Sequence, residues 1–463
     1  MHVPRSASIL PVVGILAASA PAAAQGWMQY AAPEEAGFSS TALDGARRYA
    51  DSVGSGAVMA VHRGRVVAAW GDVSREFQAH SVRKSLVSAL YGTAVADGRI
   101  DLDATLATLH VDDDQPLTAA ERGARVRDLI AARSGVYLPA AYAPDDQDEE
   151  RPTRGSHAPG THWFYNNWDF NVAGVVYEQA TGEELYQAFA RRIAGPLGME
   201  DYDPSDGFVA YEPSSSRHPA HTFRISARDL ARLGQLYLQG GRWSGRQVIP
   251  EAWVRESTHP ISDLGNGAGY GYMWWTQAAG SLPADRYPTL HRYGMVQARG
   301  TGGQVMMIIP GAEMVIVHRG DTDHGREIAG RDVYAVAERI LAARTGAPAP
   351  SPRLVPMAPV PFAGQLPAPA PMRFAALDPA LLARYAGSYE VAPGVVARVF
   401  TFRGRPFVNM PGEGEAEMLA LSETEFVVPV APGVRIAFER APAGEVTGMV
   451  ATLGGRTIRA RRL

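Results

Sequence analysis

Ser81-Val82-Arg83-Lys84-Ser85-Leu86-Val87-Ser88-Ala89-Leu90 is the stretch around which the rest of the chain is read. It holds the single lysine of the protein, every other one of the 44 basic residues being Arg. Arg serves wherever a positive charge or a donor is wanted, but its guanidinium stays protonated, whereas a desolvated lysine amine can lose its proton and act as a base. Lys84 is therefore a candidate for chemistry. Val82, Leu86, Leu90 and Val95 recur at helical spacing up to Asp97-Gly98, so 81–95 is expected to be a buried amphipathic helix opened by Ser81. Residues three apart share a helix face, about 5–6 Å apart at Cβ, which lets the Ser81 hydroxyl meet the Lys84 amine. The helix start also places backbone N–H groups and a positive dipole end where an oxyanion would form.

A chain of 463 residues, 46% hydrophobic and 20% charged, can bury a large core and is expected to hold more than one domain. A formal net charge of −4 leaves no basic footprint, which argues against a nucleic-acid partner. Residues 1–24 read as an export signal: a basic start (His2, Arg5), an apolar run over 9–20 and the small residues Ala22-Ala23-Ala24. A periplasmic or secreted protein is expected, with no membrane span once the signal is removed. The absence of cysteine excludes disulfides and thiol chemistry.

Runs at 57–62 and 65–70 around Arg63-Gly64 read as a hairpin. Helical patterns follow at 126–133, 171–180, 183–193 and 226–239, the last with Ser226 as N-cap. Strand character returns at 304–309 and 314–318, and a helix is expected over 326–344. Strands at both ends with helices between them imply one sheet built from distant segments. Residues 345–374 carry nine of the 34 prolines, which suits an extended, semi-rigid linker. Beyond it, runs at 395–402, 407–410, 426–430, 434–438 and 446–453 predict a small all-β barrel or meander over 375–463. The expected domains are thus a signal at 1–24, an α/β domain at 25–344, the linker and the β domain.

The second chemical element is Pro159-Gly160-Thr161-His162-Trp163-Phe164-Tyr165-Asn166-Asn167. Ser-x-x-Lys followed some eighty residues later by Pro-Gly-x-x-aromatic-x-Tyr-x-Asn resembles the family of class C β-lactamases, penicillin-binding D-alanyl-D-alanine carboxypeptidases and their esterase and amidase relatives. The resemblance implies a β-lactamase-like fold in which Ser81 is the nucleophile, with Lys84 and Tyr165 sharing the base role. Asn167 would hold Lys84 or the substrate carbonyl. The family's third element, Lys-Thr-Gly or His-x-Gly on a strand, is matched here by Ala298-Arg299-Gly300, so Gly300 is kept while Ala298 replaces the cation. Strand alternation argues against Arg299 simply taking that role. Gly300 and Gly302 allow close approach, and the Thr301 N–H is expected to complete the oxyanion hole beside that of Ser81.

Segments such as Gly195-Pro196-Leu197-Gly198-Met199-Glu200 and Gly302-Gly303-Gln304 are similar to the 6-aminohexanoate-dimer hydrolase branch and its carboxylesterase neighbours. Trp274 and Trp275 are candidates to wall an acyl pocket, against plain core packing. The acidic run 145–150 is a solvated loop or a cleft rim attracting a cationic substrate end. No His or carboxylate spacing suggests a metal, and no cofactor is expected. The expectation is a serine hydrolase acting on a small ester or amide. A β-lactamase or D-amino-acid peptidase, and a non-catalytic cell-wall or peptide binder, are the alternatives.

Overall fold

The apolar runs at 55–62 and 304–320 lack polar alternation because both of their faces are covered. In the computed structural model, which describes residues 26–368, 374–411, 414–431, 433–453 and 456–463, these runs lie near the middle of a ten-stranded sheet. The expected export signal lies outside the described residues. In spatial order the strands are Ser262–Gly265, Ala268–Tyr270, Trp275–Gln277, Met295–Gly300, Gln304–Ile309, Met314–Gly320, Ser55–His62, Arg65–Gly71, Met28–Tyr30 and Leu354–Pro356. The Arg63-Gly64 turn has φ of 52° and 75°, the left-handed pair that a two-residue hairpin needs. The pairing of Met314–Gly320 with Ser55–His62 joins the two ends of the domain. One sheet built from distant segments is therefore observed.

Successive side chains leave a strand on opposite faces, and here each face has its own core. Val58, Ala60, Met307 and Ile316 pack towards helices Ser40–Ser52 and Gly330–Ala342. Met59, Val61, Met306 and Val317 join the larger core that includes helices Ala227–Leu238 and Arg83–Ala96. Ser226 caps the first of these by accepting from the Asp229 amide at 3.1 Å. The region read as a helix over 183–193 is broken: Leu185–Phe189 passes into a π turn at Ala190–Ala194, just before Pro196.

Arg83–Ala96 departs from the expected amphipathic helix, being buried on almost all sides. Three of its polar residues bond to backbone outside it, Ser85 to the Met273 carbonyl at 2.7 Å, Ser88 to Tyr272 at 2.8 Å and Tyr91 to Ala173 at 2.7 Å. The helix thus sits between the sheet and the helical region, and its N-terminus meets the end of strand Met295–Gly300.

The described part of the Pro/Ala stretch adheres to the sheet. Leu354–Pro356 pairs with Met28–Tyr30, Val360 bridges to Trp70, and Phe362 is buried in the second core. The C-terminal module opens on helix Pro379–Tyr385 and forms a nine-stranded antiparallel sheet. Its two edge strands, Gly414–Glu417 and Leu419–Ala420, are consecutive in the chain, so the sheet is nearly closed, around Tyr385, Tyr389, Phe426 and Phe438.

Candidate active site

Ser81 lies in a short 3-10 turn, His80–Val82, that leads straight into the α-helix at Arg83. His80 has φ of 46°, a left-handed backbone that costs a non-glycine residue about 1–3 kcal/mol. Its ring is held by the Thr322 hydroxyl at 3.0 Å and the Tyr142 hydroxyl at 3.2 Å. Burial, reinforced by the charge of Arg319, pushes its pKa down to about 4, so the imidazole beside the serine is neutral.

Lys84 Nζ stands 2.9 Å from Ser81 Oγ, as the helix spacing requires. The amine is buried against the rings of Tyr165 and Phe170, 4.7 and 4.9 Å from their centroids. Burial, with the charge of Arg83 added to it, holds the Lys84 amine well below the usual lysine range. Burial pushes the Tyr165 phenol up to about 12, against the opposing pull of a hydrogen bond with Ser81 and the charges of Arg83 and Arg299. An amine whose charged form burial disfavours and a protonated phenol therefore face one serine.

The strand end closes the other side. A Cβ on Gly300 would lie 2.7 Å from the Ala79 carbonyl oxygen and 3.0 Å from the Ser81 nitrogen, so only glycine allows this approach. Gly302 follows at φ 74°, turning the chain so that Thr301 projects at the surface.

The remaining candidates divide. The Trp275 ring lies tilted, 5.3 Å from that of Tyr165, with Trp163 and Tyr270 within 6.4 Å of the same phenol ring. Trp274 is a correction: it has no exposed surface and packs 4.5 Å from Tyr237, so it belongs to the core and cannot wall a pocket. Asn167 is also placed differently. Its Nδ2 donates to the Tyr142 carbonyl at 2.6 Å, its amide nitrogen donates to Gln147 Oε1 at 3.1 Å, and its buried Oδ1 has no hydrogen-bond partner. It does not hold Lys84. Arg299 is exposed while Ala298 is buried, yet its long side chain lies over Trp275, 5.1 Å from the ring centroid. That brings its charge to bear on Tyr165.

Three contributors escaped the sequence reading. Arg83 was a spacer inside the motif, yet it is buried, bonded to Asn171 Oδ1 at 3.1 Å and surrounded by tyrosines. Tyr142 touches His80, Asn167 and Arg83 from a loop that carries no motif. Gln147, within the acidic run 145–150, donates to the Tyr165 carbonyl and so ties that run to the second motif. Among the described residues, no three His or carboxylate side chains gather as a metal site.

A family model described as Beta-lactamase matches residues 43–338, well over half of the chain. Esterase EstB of Burkholderia gladioli is 42% identical over 66 residues, 14% of this chain and 16% of the esterase. A D-aminopeptidase of Cereibacter sphaeroides is 34% identical over 73 residues, 14% of each protein. The chain thus spans under a fifth of the length of the curated relatives it matches. A penicillin-binding protein homologue from Caulobacter crescentus shares the fold, with a TM-score of 0.50 and 15% identity over 68% of this chain and 99% of that one.

Proposed function

The chain belongs to the beta-lactamase family, and from that premise we propose that it is a serine hydrolase cleaving an ester or amide through an acyl-enzyme on Ser81. The observation that carries the reading is the buried amine of Lys84 at 2.9 Å from Ser81 Oγ, with no carboxylate partner among the described residues. A lysine kept without a counter-charge loses its proton, and a neutral amine at that distance can take the serine proton.

In this mechanism Ser81 Oγ bonds to the substrate carbonyl carbon while its proton passes to Lys84 Nζ. The carbonyl oxygen becomes an oxyanion between the backbone N–H groups of Ser81 and Thr301. As the intermediate collapses, the bond to the leaving group breaks and that group takes a proton from the Tyr165 phenol. The Lys84 ammonium restores the phenol proton. Water then attacks the acyl carbon, gives a proton to the same pair, and Ser81 leaves with its hydroxyl restored. The phenol suits the donor role, since burial keeps it protonated at neutral pH.

The relatives' printed names, an esterase and a D-aminopeptidase, support ester or amide substrates. Ala298 offers no cation to a β-lactam carboxylate, which favours esters over cephalosporins. The test is a p-nitrophenyl ester series beside a chromogenic cephalosporin, with mass analysis of a fluorophosphonate adduct. Short esters should turn over faster and the adduct should map to Ser81. Cephalosporin turnover rivalling the best ester overturns the substrate ordering, and an adduct on another residue overturns the nucleophile.

A further inference from the structure

The C-terminal module meets the rest of the chain on the hairpin formed by Val209–Glu212 and Ser216–His221. Its strand Gly414–Glu417 lies against Val209–Glu212, and the Glu415 carboxylate accepts from the Ser214 amide in the turn. Tyr211 is held between the Arg405 guanidinium, 5.0 Å from its ring centroid, and the Phe402 ring at 6.4 Å. The second strand of the hairpin is anchored in the larger domain. Asp113 accepts from the Ser216 hydroxyl at 2.5 Å, the Arg217 amide at 3.0 Å and Trp168 Nε1 at 2.6 Å.

Glu212 sits between the module and the candidate site. It accepts from the Ser215 hydroxyl at 2.6 Å and from the Tyr142 amide at 3.2 Å. Tyr142 has φ of 59°, a strained backbone that persists only where its surroundings over-determine it. Its carbonyl accepts from Asn167 Nδ2 at 2.6 Å, its hydroxyl accepts from Gln78 Nε2 at 2.6 Å and is hydrogen-bonded with His80 Nδ1 at 3.2 Å, and its ring lies 5.9 Å from the Arg83 guanidinium. Of those four partners, His80 is the neighbour of the nucleophile, Asn167 the last residue of the second motif and Arg83 the cation beside Lys84.

We propose that the C-terminal β module is a working part of the catalytic site: docked on the 209–216 hairpin, it fixes Glu212 and, through it, Tyr142, the positioning residue that orients His80, Asn167 and Arg83 around Ser81. This rests on the acyl-enzyme reading above, and it replaces the expectation that an independent unit merely follows a linker. Docking then acts on the chemical step more than on substrate binding, because the hairpin reaches the site through groups that flank the nucleophile.

The experiment uses the full chain. The unmodified protein, a Tyr211→Ala/Glu415→Ala double variant and Glu212→Ala are compared in turnover of p-nitrophenyl butyrate and in the rate of fluorophosphonate attachment to Ser81. Each variant should lower kcat about tenfold with KM within about twofold, and slow labelling in proportion. Combining them should cost little beyond either alone, since both cut one line of contact. The absence of native cysteine offers a control that does not depend on weakening the fold. Ser214→Cys with Glu415→Cys, oxidised, should keep the unmodified rate and lose it on reduction. Docking variants with unchanged kcat and labelling, or a cysteine pair indifferent to reduction, overturn the proposal. An unmodified protein that takes no label overturns the acyl-enzyme reading instead.

Discussion

Arg83 and Lys84 are consecutive residues, both buried, and among the described residues neither is paired with a carboxylate. Two adjacent cations withdrawn from water repel each other, and this adds to burial in lowering the pKa of the one that can release a proton. In the proposed mechanism Arg83 thereby helps to keep Lys84 a base. Arg83→Met removes one charge and should move the rising limb of kcat/KM against pH to higher pH, because the Lys84 proton is then held more tightly. A pH–rate profile with an unmoved limb would refute this role.

Lys84→Arg keeps the charge but cannot give up a proton near neutral pH. Ester turnover should fall by about 100-fold or more, nearly as far as in Lys84→Ala. Near-normal turnover by the folded Arg variant would show that charge alone is needed.

The depressed Lys84 pKa also has a thermodynamic sign. The unfolded chain binds the amine proton at pH values where the folded chain does not, so folding stability rises with pH between the folded value and the ordinary lysine value near 10.5. At neutral pH the buried amine is a net cost. Lys84→Met, inactive, should therefore unfold at a higher temperature than the unmodified protein at pH 7, with the gap closing as the pH approaches 10.5. A lower unfolding temperature throughout would contradict the assignment.

Ser81→Ala should lose all fluorophosphonate labelling and about 10⁴-fold or more in turnover while keeping its circular dichroism and unfolding temperature. Label persisting on this variant would place the nucleophile elsewhere.

Gly300→Ala sets a methyl against the Ala79 carbonyl and the Ser81 amide, at 2.7 and 3.0 Å. Moving the strand away by a fraction of an ångström to an ångström displaces the Thr301 amide from the oxyanion position, and turnover should fall by about 100-fold. Thermal unfolding reports whether the loss is local. A fully active, normally stable Ala variant would disprove the close approach.

Local signals gave the elements that stand on local chemistry. Ser226 announces its helix, Arg63-Gly64 its hairpin, and Ser81 and Lys84 their contact, because caps, turns and helix spacing depend on residues a few positions apart. Trp274 could not be separated from Trp275 in this way, since one tryptophan faces Tyr237 and the other Tyr165 only once distant segments have packed. Arg83 and Tyr142 were silent for a related reason. Their importance lies in what surrounds them, Asn171 and the tyrosines for one, Glu212 and His80 for the other, and no spacing records it.

The proline-rich stretch after residue 345 has a consequence for handling the molecule. Leu354-Val355-Pro356 is the outermost strand of the large sheet, with Pro352 before it and Pro359 and Pro361 after it. Proline has no N–H to offer a further strand, so this border is blunted against the edge-to-edge joining of chains that leads to aggregates. A shortened protein ending at 344 would strip that border, remove Phe362 from its buried place and leave Met28–Tyr30 with a bare flank. One ending at 368 would keep it and stay soluble where the shorter one clumps.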